Sequence, residues 1–335
     1  MWRTLRIALA ATSSLTLAAL TDAVMADVGR ELTAAASTEA ARPAGVAYVA
    51  LERANAVAVL RGRPWRLASR LRVPVGPHNV AASADGRFVA VSSPPADAVT
   101  IIDARRARIR ARVRVAGRPH DVDFSGDGRF LWVTAERANR LVLVSVATGR
   151  VVRSVATSGP PHDLAVDSHR GQLWVTIDGS SAVEVRSAST GRLLGRPVLG
   201  DAPHDVGFGA GNRSVWFSNW NSGSLTVVDA GSRRVRARIR VGQEPHHFAA
   251  GASALWVTDN TGGALLRVDL RSGRVRARTR VGPAPHHVSV AAEDVLVAVH
   301  GTDEVALASA TGRLRRMIRV GDGPHGIAAI QLTPP

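Results

Sequence analysis

The chain has 335 residues, of which 45% are hydrophobic and only 4% aromatic, enough for a large and mostly aliphatic core. Cysteine is absent, which excludes disulfides, thiolate nucleophiles and cysteine-held zinc or iron–sulfur centres, so any metal must rest on His, Asp or Glu. The net charge is +16 and every basic residue is arginine; such an Ala- and Arg-rich composition often follows from a GC-rich genome and does not by itself point to nucleic acid.

Trp2, Arg3 and Arg6 begin the chain with a basic stretch, and Ile7 to Leu20 is apolar or small apart from Thr and Ser. Val24-Met25-Ala26 then offers small residues where a signal peptidase reads them. This pattern predicts a secretory signal over residues 1–26 and a flexible leader over 27–44. The apolar run is short for a membrane span. The mature protein is therefore expected to be secreted or periplasmic, with no transmembrane span.

From residue 45 onward the chain repeats. The dipeptide Pro-His recurs with histidines His78, His120, His162, His204, His246, His286 and His325, in steps of about 42 residues that shorten slightly at the end. One unit contains four short apolar runs: PHDVDFS (119–125), RFLWVT (129–134), RLVLVSV (140–146) and VVRSVAT (151–157). Gly-Asp-Gly, ERAN and ATGR separate them as turns. Four strands at this period predict one propeller blade. Six units are complete. The seventh histidine opens only PHGIAAIQL (324–332), while GVAYVAL (45–51), NAVAVLRG (55–62) and RLASRLRVPV (66–75) supply three strands before the first unit. The fold class is thus all-β: a seven-bladed β-propeller of four-stranded antiparallel blades over 45–335. Its N-terminal blade is closed Velcro-fashion by the C-terminal strand, leaving no open ring edge.

The pieces SADGRFVAVS, SGDGRFLWVT, TVVDAGSRRV and LLRVDLRSGRV resemble the YVTN-type β-propeller repeats over nearly the whole mature chain. A narrower resemblance joins GQEPHHFAAGASALWVTDN (242–260) to the streptogramin (virginiamycin B) lyase family. That resemblance implies metal-assisted elimination. Glu244-Pro245-His246 matches the family's E-P-H triplet, His204 its second histidine, and Asp259 or Asn260 its later carboxylate, although T-D-N stands here for T-E.

Pro before each His stiffens the turn into the innermost strand. Seven such turns are expected to present seven imidazoles around one central mouth. The loops after the W-V-T strands open on the same face, where Glu52, Pro94, Glu136, Asp178, Trp220, Asn260 and His300 occupy one repeating position. The expected site therefore holds a metal ion or a small polar ligand among the seven histidines, with Trp220, Glu136 and Asp178 at its lip. His246, His286, Glu244, Asp259 and His300 are the candidate metal ligands, for Cu, Zn or Mg. As a metal-dependent lyase, the chain would use His246 and His204 for acid–base work. The alternative is structural: a turn residue copied by duplication, each imidazole hydrogen-bonded to a neighbouring blade's backbone. The doubled pairs His246-His247 and His286-His287 should each send one ring to the mouth and one into the blade interface, because strand side chains alternate.

RIRARVRV (108–115), RRVRARIRVG (233–242) and GRVRARTRVG (273–282) place arginine on one face of the outermost strands. Charge there prevents edge-to-edge association. It could also dock the protein onto an anionic envelope polymer as a scaffold. Without interleaved aromatics the stripes do not suit single-stranded nucleic acid. No G-x-S-x-G, H-E-x-x-H or P-loop is present.

Overall fold

A computed structural model describes residues 45–62 and 64–331. The expected signal and leader lie outside the described residues. The described chain forms seven four-stranded antiparallel sheets, a seven-bladed propeller. Blade one comprises residues 45–72 with the closing strand Pro324–Gln331; blades two to seven span 80–114, 119–156, 161–195, 206–240, 245–280 and 285–319.

Blade three shows how the sequence makes a sheet. Phe130–Ala135 is buried along nearly its whole length, because a blade has neighbours on both faces. Arg150–Ala156, at the rim, is almost wholly exposed. The turn between the first two strands is chemically fixed: Ser125 Oγ donates to Asp127 Oδ1 at 2.6 Å, Asp127 Oδ1 accepts the Arg129 amide at 3.0 Å, and Gly128 takes φ +67°. Trp132, Trp174, Trp216 and Trp256 are buried core residues. No described helix is long and apolar enough to cross a membrane.

The ring closes as the repeat count requires. Pro324–Gln331 pairs antiparallel with Gly45–Leu51, setting Val46 opposite Ile330 and Val49 opposite Ile327. Trp65, 1% exposed, ties blade one to blade seven by donating Nε1–H to Asp294 Oδ2 at 2.9 Å. Gly326 donates its amide to the His78 carbonyl at 2.9 Å; a Cβ at 326 would meet that carbonyl and lie 2.8 Å from the Val80 nitrogen. Only glycine fits.

A hydroxyl latch fixes the inner strands. The fifth residue of the six-residue W-V-T strand accepts the amide of the residue after its own blade's His, as in Asp121 N–H to Thr134 Oγ1 at 2.8 Å. The same hydroxyl donates to the carbonyl of the next blade's His, Thr134 to His162 at 2.8 Å. Ser92, Thr176, Ser218 and Thr258 repeat the device toward His120, His204, His246 and His286. Thr134→Val keeps the shape but unpairs two buried backbone groups. It is expected to cost about 1–3 kcal/mol, seen by circular dichroism as a melting point lowered by a few degrees with the fold intact. The same change at exposed Thr148 should be nearly silent.

Candidate metal centre at the axial histidine ring

The seven Pro-His turns deliver their imidazoles to one closed circuit. Successive ring centroids are 4.6 Å (His78–His120), 4.1 Å (His120–His162), 4.4 Å (His162–His204), 4.6 Å (His204–His246), 4.1 Å (His246–His286), 3.8 Å (His286–His325) and 3.7 Å (His325–His78) apart. Such a circuit has a radius of about 5 Å, against 2.0–2.1 Å for a zinc–imidazole bond. An ion must therefore sit off the axis, between neighbours.

The latch occupies the carbonyls of five of these histidines, not their rings. The buried Nδ1 atoms of His120, His162, His204, His246, His286 and His325 have no hydrogen-bond partner. His78 Nδ1 alone in the circuit is satisfied, by Asn79 Oδ1 at 3.0 Å. Pairing of each ring with a neighbouring blade's backbone, the structural alternative, is not what these six Nδ1 atoms do. Buried polar atoms without partners are rare in folded proteins and call for an ion, a water or a ligand.

The residue after each His forms a second tier. A β-bulge puts two residues, His120 and Asp121, opposite one, Thr134, and the same shift recurs at 161–164, 245–248 and 285–288. His247 does enter the blade interface, stacking on His287 with centroids 3.4 Å apart, but it stays 4.6 Å from the His246 ring. His246 and His286 stay in the axial circuit while His247 and His287 meet between the blades, as alternation leads one to expect. Asp163, whose side chain is 1% exposed, lies 3.2 Å from His162 Nδ1, 3.4 Å from His120 Nδ1 and 3.8 Å from His204 Nδ1, without the alignment of a hydrogen bond.

Burial, reinforced by repulsion between neighbouring imidazoles, holds His78, His246, His247, His286 and His325 well below the ordinary histidine value of 6.5. Burial also lowers His204 to about 3 and His287 to about 4. His162 is different. Burial opposes its charge, but Asp163, then Glu136 and Asp121, outweigh burial and raise it to about 9. Asp163 in turn is held well below the carboxylate range, because His162 and His120 overcome its own burial. The site is one buried ion pair beside these seven imidazoles held neutral, the protonation state that ligates metals.

Three-ligand groups follow from this packing. Within each, ligand atoms lie within 4.8 Å of one another: His120, Glu136 and His162; His162, Asp163 and His204; Asp163, Asp205 and His247; His204, His246 and His247; His247, His286 and His287. At the lip, Glu136, His162, Asp178, His204 and Trp220 line a cleft of about 380 Å³. Trp220 is 39% exposed, its ring 4.8 Å from His204 and 5.1 Å from His246. A larger hollow of about 770 Å³ lies on the opposite face between blades three and four, but it gathers no histidine and only one carboxylate, Asp127.

Three of the candidate ligands stand apart. Asp259 Oδ1 accepts the Gln243 and Glu244 amides at 3.0 and 2.9 Å, and Oδ2 accepts Arg278 Nη1 at 2.9 Å. It pins the turn before His246 and is fully engaged. Burial and the charge of Asp259 raise the Glu244 carboxyl, and Glu244 joins no three-ligand group among the described residues. His300 lies 3.2 Å from Arg53 Nη1, with its ring 6.0 Å from those of His286 and His325. The second-tier acids Asp121, Asp163 and Asp205 are absent from the sequence reading. Their signal was the recurring His-Asp dipeptide at 120–121, 162–163 and 204–205.

Several solved structures share the architecture. A functionally unknown protein from Desulfotomaculum acetoxidans is similar with TM-score 0.74 at 12% identity, over 85% of this chain and 98% of that one. Apo AztD from Citrobacter koseri is similar with TM-score 0.68 at 14% identity, over 86% and 98%. Virginiamycin B lyase from Staphylococcus aureus is similar with TM-score 0.65 at 17% identity, over 75% and 87%. At these identities the likeness concerns the fold alone. None of the curated proteins matches the chain. The family model for YNCE-like beta-propellers matches residues 3–218, more than half the sequence. The chain belongs to the YNCE-like beta-propellers.

Proposed function

We propose that this propeller works outside the cytoplasm as a metal-binding protein, taking up Zn²⁺ or Cu²⁺ through its axial histidines. The observation that carries the reading is the set of six ring histidines whose buried Nδ1 atoms make no hydrogen bond, three of them, His120, His162 and His204, having the Asp163 carboxylate within 4 Å. Neutral imidazoles suit Zn and Cu, whereas Mg²⁺ demands oxygen ligands and fits this donor set poorly. The expected N-terminal signal supports the location.

The lyase reading has less behind it. Glu244-Pro245-His246 is present, but Asp259 is engaged by Arg278 and two amides. The envelope-scaffold reading draws on the exposed arginines of Arg108–Arg114, Val235–Arg240 and Val275–Arg280. Release from envelope fractions by salt would support it, and salt-insensitive attachment would not.

Equilibrium dialysis against Zn²⁺ and Cu²⁺ at pH 7.5, read by elemental analysis, tests the metal reading. Stoichiometric uptake is expected, unchanged in His169→Ala, which alters a histidine outside the ring. Absence of uptake of either ion removes the proposal.

A further inference from the structure

We infer that the axial cluster is two metal sites of different chemistry; this rests on the metal-binding reading above. The ring repeats sevenfold in backbone but not in donors. Blades three to five carry Asp after the ring histidine, and blades six and seven carry His. Toward blades three and four, His120, Glu136 and His162 form one compact group and His162, Asp163 and His204 another, both mixing nitrogen with oxygen. Toward blades six and seven, His204, His246 and His247 form a group with nitrogen alone, as do His247, His286 and His287.

One ion cannot serve both ends, since the circuit is more than twice as wide in radius as a metal–imidazole bond. The two carboxylates near the boundary have distinct parts. Asp205 Oδ2 lies 3.4 Å from His247 Nδ1, while its oxygens also accept the Val206 and Phe248 amides. It is a fixed acceptor, of the kind that orients a metal-bound imidazole. Asp163 holds no hydrogen bond on either oxygen and joins groups toward both ends. Its negative charge offsets the repulsion between two cations. The nitrogen-only end is the better copper site, because its donors are all imidazole. The mixed end suits Zn²⁺, whose binding releases the proton that His162 holds beside Asp163.

The test uses the whole protein with Zn²⁺ and Cu²⁺ as probes. Two equivalents of Zn²⁺ are expected. Glu136→Gln should weaken one of them at least tenfold and leave the other, and Glu136 lies at the lip, where the change spares the core. His247→Gln with His287→Gln should remove the other equivalent and abolish the nitrogen-only EPR signal of the first Cu²⁺ bound. A single equivalent in the parent protein overturns the inference while leaving metal binding standing. Loss of both equivalents in either variant, with circular dichroism unchanged, overturns it too, by showing one shared centre. No uptake at all sinks the metal reading itself.

Discussion

A chain ended after Gly323 is expected to lose its cooperative fold, with no thermal transition by circular dichroism and an aggregated profile in size-exclusion chromatography. Residues 324–331 are a small part of the sequence, yet they are the innermost strand of blade one. Ile327 and Ile330 are 4% and 6% exposed, and Ala328 and His325 are buried beside them. Two isoleucines at about 1.5–3 kcal/mol each, with the ladder hydrogen bonds added, approach a typical net stability of about 5–15 kcal/mol. The loss is also qualitative. Gly45–Leu51 is buried throughout, so truncation turns a fully apolar strand into an open edge, which templates association. It also takes His325 out from between His78 and His286, breaking the circuit at two contacts. A truncated protein that stays monomeric with an unchanged melt would mean that the blades stand without closure.

The architecture was readable because repetition multiplies a weak signal. No single run such as FVAVSS identifies a propeller, but seven copies in phase fix blade number, strand order and the closing strand. The gathering of the histidines was readable for the same reason: one backbone bend, copied around a circle, converges. What surrounds each imidazole was not. The bulge that keeps His247 beside His246 is a backbone event with no residue code of its own. The carboxylate of Asp163 faces imidazoles, while that of Asp121 accepts Asn79 Nδ2 and the Leu164 amide and that of Asp205 accepts the Phe248 amide; only what neighbouring blades present makes the difference. Asp259 looked like a metal ligand from its place at the end of T-D-N. Its partner Arg278 lies on the rim strand of the same blade, and sequence spacing does not show which rim arginine turns inward.

Stability should peak close to pH 6.5–7 and fall steeply on the acid side. Seven axial imidazoles, those of His78, His204, His246, His247, His286, His287 and His325, titrate lower in the fold than in the unfolded chain. Below 6.5 the unfolded chain takes up protons that the folded ring refuses. Their contribution is therefore complete above 6.5 and is lost as pH falls toward about 3 for His204 and about 4 for His287. Asp121 and Asp205 are raised well above 3.8, and burial raises Asp123 to about 6. These three act in the opposite sense, favouring the fold as pH falls toward 3.8, but the imidazoles outnumber them. Each net group is worth about 1.4 kcal/mol per pH unit, so several together exhaust a typical stability within about two units. On the alkaline side His162, raised to about 9, contributes fully below 6.5 and loses that contribution as pH rises through 9. One group against several makes this limb shallow. Urea midpoints from pH 4.5 to 9.5 read the shape directly. Zn²⁺ at 1,000 times its dissociation constant should add about 4 kcal/mol near pH 7, and the gain should shrink in acid as protons compete for the same nitrogens. A flat profile, or a metal gain indifferent to pH, would mean that the axial imidazoles are neither held neutral nor the ligands.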